Sequence, residues 1–285
     1  AFGGYDIFRE AKIRKFWSHF PKSKKRSLLL KKIYGYLPHF QGDNYRFQMA
    51  FFSRYLSNNQ SDDFSHQIRW GINNSLQSFF NDEWKMLDKP EKILLQTLPD
   101  NFHSASVFEK ARYLECKTLL ESYLLSSQGD RMTLGNGVEG RFPFLDHNLW
   151  EAITQLDDSL LIKGVSEKWI LKKSYADYLP ESIVKRAKQP YLAPNIKAYF
   201  MQDKVPGYVE ELLNSKRLSE AGYFNIEMVE RLMMKIKKNP EKASYKDDSV
   251  FLFILTTMLL DETFIKNKPC IGKVDIPIHW VKGTS

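Results

Sequence analysis

Residues 129–190 read GDRMTLGNGVEGRFPFLDHNLWEAITQLDDSLLIKGVSEKWILKKSYADYLPESIVKRAKQP, and both the fold and the chemistry turn on this stretch. Charged residues interrupt its apolar runs at short intervals, which is costly in a buried segment unless the charges find partners or a ligand. Three glycines between Thr133 and Gly140 predict an extended loop passing close to another backbone. Side chains alternate along extended backbone, so Glu139 and Arg141 point the same way. They pair to anchor the loop, or they fix each other for a ligand. Pro143 excludes helix at its position, and Asp146 stands where it caps a helix beginning at His147. His147 itself reads as a first-turn surface residue, because no second His or Cys lies at metal-ligand spacing.

Further along, Lys163 to Lys168 lead into a helix with the body WILKKSYADYL. A lysine in the first turn of a helix opposes the macrodipole by about 0.3 to 1 kcal/mol. An anionic phosphate at the helix N-terminus would compensate, and Lys172 lies one turn on along the same face. The plainer alternative is two solvated lysines.

Outside this stretch, composition sets the limits. The 285 residues suit one large domain or two fused helical lobes, and no internal boundary is drawn within 1–285. Hydrophobic residues make up 43%, with 20 Phe, 14 Tyr and 6 Trp, which excludes a disordered chain and implies a packed core. The formal charge of +8 favours anionic partners such as nucleotides, pyrophosphate or nucleic acid, and a solvated basic surface accounts for it equally well. Cys116 and Cys270 are the only cysteines and lie far apart, so a reducing compartment, the cytoplasm, is the simpler expectation. The N-terminal residues lack an apolar signal core, and the longest apolar run, Val250 to Leu260, is too short to span a bilayer. A soluble protein is therefore expected.

In chain order, Ala1 to Tyr5 offer turn chemistry with nothing before it to turn from, as if cut from something longer. Asp6 is expected to cap an amphipathic helix carrying Phe8, Ile13, Phe16 and Trp17. Lys24, Lys25, Arg26, Lys31 and Lys32 surround three leucines and read as the solvated basic face of a helix before they read as an anion site. Helical spacing recurs from Tyr45 to Tyr55, from Ser75 to Leu87, between Pro90 and Pro99, and from Ser104 up to a break at Ser126 to Gly129. Later helices are expected at Ile196 to Phe200, Val209 to Asn214, Ile226 to Lys238 and, buried, Asp247 to Phe264. Almost no stretch alternates with period two. The chain therefore reads as mainly α.

The segments SYLLSSQGDRMTLGNGVEGRFPFLDHNL and EKWILKKSYADYLPESIVKRAKQPY, together with the opening AFGGYDIFR, resemble the C-terminal synthetase domain of the glutamine-dependent asparagine synthetase family. The family motifs in question are DRM-S/T-M…VEARVPFLD, a K-Y-x-L-R/K-K-A helix ending in LP, a basic K-Q loop, and the continuation of a SGEGADE-AFGGY loop. The match is dense from Ser122 to Tyr191 and thinner from Ala1 to about Lys266. The family's SGGxDS nucleotide loop, its SGEGADE loop and the cysteine nucleophile of its glutaminase domain do not occur here. The resemblance thus implies the helical remainder of an α/β adenine-nucleotide alpha-hydrolase-like (PP-loop) synthetase domain, catalytically incomplete as it stands. Gly140 replaces a common alanine, and Leu134-Gly135-Asn136 replaces a more usual M-A-H/W, which bears on the substrate.

What the resemblance implies is an ATP-dependent amide-forming ligase with Mg2+, acting in two steps. An aspartate-like carboxylate is adenylated with release of pyrophosphate, and ammonia from a glutaminase domain then attacks the acyl-adenylate. Both steps build negative charge, over which preorganised cations have large leverage. The family's helix lysine falls on Lys168, the expected catalytic residue. Arg131, Glu139, Arg141, Lys172, Lys188 and Gln189 are the expected substrate- or nucleotide-binding set, with Asp130, Arg131, Glu139 and Arg141 assigned to architecture around the site before chemistry. Lys188 and Gln189 belong to a loop expected to close over substrate. A homodimer is a further expectation, and a membrane partner is not. Two other readings stay open: a relative on the same scaffold that closes a β-lactam or peptide ring in specialised metabolism, and a non-catalytic helical module for nucleic acid.

Overall fold

Helix Asp6–Ser18 buries ionic side chains beside apolar ones: Arg9, Glu10 and Arg14 are as inaccessible as Ile7, Phe8, Ile13 and Trp17. The expected clean amphipathic stripe is therefore absent, and Phe16, assigned to the buried face, is 48% exposed. Asp6 does not cap this helix. Tyr5 is the N-cap, and the Asp6 carboxylate instead takes Arg9 Nη2 and the Tyr36 hydroxyl. The computed structural model describes residues 2–37, 40, 45–85, 89–186, 188, 190, 195–201 and 205–267. Helices dominate it, and among the described residues the only β pairings outside helices are two isolated bridges, Phe80 with Phe224 and Lys163 with Ser166. The contacts divide the chain into two units, Ala1–Asn74 with Asp88–Tyr191, and Ser75–Leu87 with Leu192–Ser285.

In the first unit, helix Asp6–Ser18 feeds two apolar clusters. Ile13 and Trp17 join Leu30, Ile33, Phe52, Phe64 and Ile68, while Ile7 and Phe8 join Phe108, Ala111, Leu161 and Ile162. Burying side chains of this size contributes about 1.5 to 3 kcal/mol each. Arg14, fully inaccessible, donates to the carbonyls of Phe52, Phe64 and Arg54 at 3.2, 3.0 and 2.8 Å, with its guanidinium 4.5 Å from the Phe64 ring centre. It thereby satisfies three carbonyls that no helix or strand would pair. Burial lowers the Arg14 pKa to about 10, against the raising effect of Glu10.

The basic cluster occupies two short helices, Lys24–Ser27 and Leu29–Tyr34, with Leu30 buried and Lys24, Lys25, Lys31 and Lys32 exposed. Arg26 lies over the Phe16 and Phe20 rings and Lys31 over Tyr45, so part of the charge rests on aromatic faces. Ser106, two residues later than expected, starts the helix Val107–Glu115 with a reciprocal cap from Glu109, because Ser104 still belongs to the tight turn Asp100–Ser104. Helical backbone then runs on through the π-helix Cys116–Asp130 into Arg131–Gly135, past the break expected at Ser126 to Gly129. The Ser126 hydroxyl, part of the expected break, donates back into the helix to the Ser122 carbonyl, as Thr118 does to Leu114 and Ser122 to Thr118. Extended backbone begins only after Gly137, whose φ of 66° ends the helix.

The second unit is built around helices Ile226–Lys238 and Tyr245–Leu260. Leu232 and Ile236 from the first, and Val250, Phe251, Ile254, Leu255 and Met258 from the second, share one buried cluster with Val209, Leu218 and Phe224. Asn225 and Ser244 cap the two helices with side-chain acceptors, and helices Ile196–Phe200, Gly207–Leu212 and Ser215–Ala221 complete the packing. Near its C-terminal end Arg217 takes both Asp261 and Glu262, and the Tyr223 hydroxyl donates to Asp261 at 2.7 Å. Cys116 is a free thiol, and Cys270 lies outside the described residues. No described helix is long and apolar enough to cross a membrane.

Candidate functional site

Two turns meet in the first unit. The first, Phe2 to Tyr5, precedes helix Asp6–Ser18: Gly3 has φ 68°, which favours glycine, and a Cβ there would sit 3.0 Å from Ile162. A Cβ on Gly4 would lie 2.5 Å from Lys168 Cε, so the lysine stem runs across the face that a side chain would fill. The second turn, Lys163 to Ser166, closes with two backbone hydrogen bonds of 3.1 and 3.0 Å around Gly164 at φ 61°. It delivers Glu167 into the interior, 2% exposed.

Glu167 gathers the site. Arg9 Nη1 donates to its Oε2 at 2.9 Å, Lys172 Nζ to its Oε1 at 2.9 Å, and the backbone N–H of Lys188 to the same Oε1 at 3.1 Å. Arg9 also reaches the Val165 carbonyl at 3.3 Å, and Lys12 holds the Ile162 carbonyl at 2.9 Å. Burial pushes the Glu167 carboxyl up, but Lys172, the backbone N–H groups and Arg9 more than offset it and leave the group below its ordinary value. The carboxylate is thus ionised and saturated with donors, as a buried charge must be.

Lys168 follows at once, with φ 52° and ψ 36°, one of two described non-glycine residues with positive φ. Such left-handed backbone costs about 1 to 2 kcal/mol. It is the N-cap of helix Trp169–Ser174, not a first-turn residue of a longer helix. The expected conflict with a helix dipole is therefore replaced by backbone strain: Glu167 turns inward while Lys168 turns over Gly4. The half-buried Lys168 ammonium has no hydrogen-bond or ion-pair partner among the described residues. Lys172 is engaged internally, since it also donates to the Arg186 carbonyl at 3.3 Å. The Lys188 ammonium lies 5.8 Å from the centre of the Tyr5 ring.

The other expected site residues lie apart from this network. Glu139 and Arg141 pair at 2.6 Å on the surface, 73% and 77% exposed, and Arg131 is exposed at the start of Arg131–Gly135. No hydrogen bond or ion pair among the described residues joins these three to Glu167 or Lys168. Gln189 lies outside the described residues. His147 opens the helix His147–Thr154 at an exposed position, with Asp146 accepting from Leu149 N at 3.0 Å as its cap. Arg9, Glu167 and Gly4 were missed from sequence. The signal available was an acidic residue immediately before the candidate lysine, which nothing in spacing marks as buried.

The donor set fits a phosphate-bearing group in chemistry: Lys168 offers an unpartnered ammonium, and Glu167 holds both the turn before it and the backbone of Lys188. It offers nothing comparable for a metal, as no group of three or more His, Cys, Asp or Glu side chains able to hold an ion occurs among the described residues.

Comparison with known proteins places the chain in one family. A model of the family described as Asparagine synthase matches residues 1–260. "Asparagine synthetase [glutamine-hydrolyzing] 1" of Bacillus subtilis is 24% identical over 196 residues, 68% of this chain and 29% of the relative. The "Asparagine synthetase [glutamine-hydrolyzing]" of Gallus gallus is 35% identical over 124 residues, 40% of this chain and 22% of the relative. "Amidase chyE" of Penicillium rubens is 26% identical over 148 residues, 50% of this chain and 21% of the relative. The chain thus spans between about a fifth and three tenths of the length of these relatives. No solved structure matches it. With the family model covering all but the last 25 of the 285 residues, the chain belongs to the asparagine synthase family.

Proposed function

We propose that this chain is the C-terminal part of an ATP-dependent amide-forming ligase of the asparagine synthetase type, with an aspartate-like carboxylate as acceptor and ammonia from a glutaminase domain as donor. The observation that carries the reading is Lys168: an ammonium without a described partner, presented by a strained turn that a buried, fully bonded Glu167 holds in place. ATP, when bound, supplies the leaving group that activates the carboxylate. Lys168 places positive charge where negative charge develops on phosphate or tetrahedral oxygen, a contribution of about 2.7 to 4 kcal/mol for one such donor. Gly4 keeps the path of the lysine stem open, and Lys188 adds a second cation whose backbone is fixed by the same carboxylate. Arg131, Glu139 and Arg141 serve as surrounding structure or as contacts to substrate. Mg2+ belongs to the proposal for the whole enzyme and has no assigned ligand here.

The test is pyrophosphate release and amide formation by the polypeptide that carries this chain. Lys168→Ala is expected to lower kcat by about a hundred- to a thousandfold, with little change in thermal stability. Lys168→Arg keeps the charge but replaces a compact donor with a planar fork, and activity should stay well below the parent. Near-parent turnover in Lys168→Ala refutes the assignment.

A second reading is an amide-forming enzyme of specialised metabolism on the same scaffold. It is favoured by the Penicillium rubens relative, whose name is that of an amidase. Acceptor profiling separates the two: turnover of L-aspartate supports the first, and turnover only of larger carboxylic acids supports the second.

A further inference from the structure

Away from Lys168, the first unit carries a half-open cleft of about 290 Å³ between the turn at Tyr55, helix Gln67–Asn74 and the start of helix Pro90–Leu95. Two carboxylates on its wall are not paired with a cation among the described residues. Asp63 accepts from the Ser61 hydroxyl and from Gln67 Nε2, both neutral and both on Oδ1, leaving Oδ2 with no donor among the described residues. Glu91 accepts from Asn74 Nδ2 at 2.6 Å on Oε1, and Oε2 likewise has none. Neither carboxylate has a cation within ion-pair distance among the described residues. Gln67 Oε1 also lacks a partner among the described residues, but it is inaccessible and lies behind the wall. Its orientation is fixed, because turning the amide over would set oxygen against the Asp63 carboxylate.

Opposite charge and aromatic surface complete the lining. Lys89 is the one cation on the wall, and it has no partner among the described residues. Tyr55 and Trp70 contribute two aromatic rings, the surface on which an ammonium is held by the ring quadrupole. Tyr55 is held at φ 61°, and its hydroxyl would lie 2.9 Å from a Cβ on Gly71, so glycine at that position is what lets the ring close one side. Left-handed backbone at a bulky residue is strain that a structure keeps at ligand sites more often than elsewhere.

The geometry points to a binding site for the zwitterion of a small α-amino acid. The ammonium answers the uncompensated Asp63 and Glu91 beside the aromatic rings, and the carboxylate answers Lys89. The volume is at the low end for small-molecule pockets and suits a single amino acid. This assignment is independent of the amide-forming reading, since it uses none of the residues around Glu167.

Isothermal titration of the polypeptide that carries this chain tests it, with each of the twenty amino acids, and with ethylammonium and acetate as half-ligands. At least one amino acid is expected to bind with Kd below about 1 mM, and both half-ligands at least about tenfold more weakly. Glu91→Gln and Lys89→Ala, the latter a change at an exposed side chain, should each weaken that amino acid by about tenfold or more, with the far-ultraviolet circular dichroism unchanged. Gly71→Ala, which displaces Tyr55, should weaken it too. No binding by any amino acid up to about 10 mM, ethylammonium binding as tightly as the best amino acid, or affinity unmoved by both Glu91→Gln and Lys89→Ala would each overturn the assignment.

Discussion

Replacing Gly4 with alanine places the test of Lys168 outside Lys168 itself. An alanine Cβ would sit 2.5 Å from Lys168 Cε, where ordinary contact begins at 3.4 Å, so the stem must move by about 1 Å to make room. The atom in the way is the flexible end of a side chain, and Gly4, unlike Gly3, does not occupy left-handed backbone. Alanine is therefore compatible with the fold, and loss of unfolded-state entropy favours it by about 0.4 to 1 kcal/mol. Misplacing a reacting group by about 1 Å costs on the order of a hundredfold in rate. Gly4→Ala should accordingly lower kcat by about a hundredfold while the thermal midpoint holds or rises. Pyrophosphate release by the polypeptide carrying the chain is the assay, with the double variant Gly4→Ala/Lys168→Ala as control. The two changes act through one ammonium, so the double variant should be no slower than Lys168→Ala alone. Parent kcat in Gly4→Ala, or multiplicative losses in the double variant, refutes the reasoning.

Other expectations concern stability. Glu167→Gln leaves Arg9 and Lys172 facing a neutral group in a buried site and should cost about 3 to 5 kcal/mol, whereas Lys172→Ala, with Arg9 still in place, should cost about 1 to 3 kcal/mol; chemical denaturation measures both. Glu139→Ala and Arg141→Ala remove one highly exposed pair and should each change stability by less than about 1 kcal/mol, with a small coupling in the double variant. Glu167, Asp247 and Asp261 all sit below their ordinary values despite the opposing effect of burial. Their contribution is complete above the ordinary carboxylate range and is lost as pH falls through the depressed values, so the thermal midpoint should drop on acidification below about pH 4. Burial raises the Cys116 thiol, so its alkylation by iodoacetamide, followed by mass spectrometry of its peptide, should be slower in the folded chain than in the unfolded one.

The parts of this fold legible in sequence are those decided by local chemistry. Asp146 caps its helix as read, because an N-cap needs only a short acceptor and three following residues. Helices Ile226–Lys238 and Ile196–Phe200 lie where their apolar spacing put them. The partner each side chain found decided what was misread. The hydroxyl of Ser126 looks like loop chemistry until a helix gives it a carbonyl four residues back. Asp6 looks like a cap until Arg9 and Tyr36 claim it. At the candidate site the resemblance located Lys168 but said nothing of its neighbour. Glu167 is buried only because Arg9, 158 residues away in sequence, meets it there, and no local pattern carries that information.

Arg14 has a consequence for folding cooperativity. One side chain from helix Asp6–Ser18 closes on the carbonyls of Phe52, Arg54 and Phe64, so that segment cannot detach while the helix stays formed without stranding a buried cation. The two should open together as a single exchange unit. Amides of residues 10–17 and of the backbone around Phe64 would then exchange with deuterium at a common free energy. Arg14→Met would split them, and the Phe52 to Phe64 segment would open first.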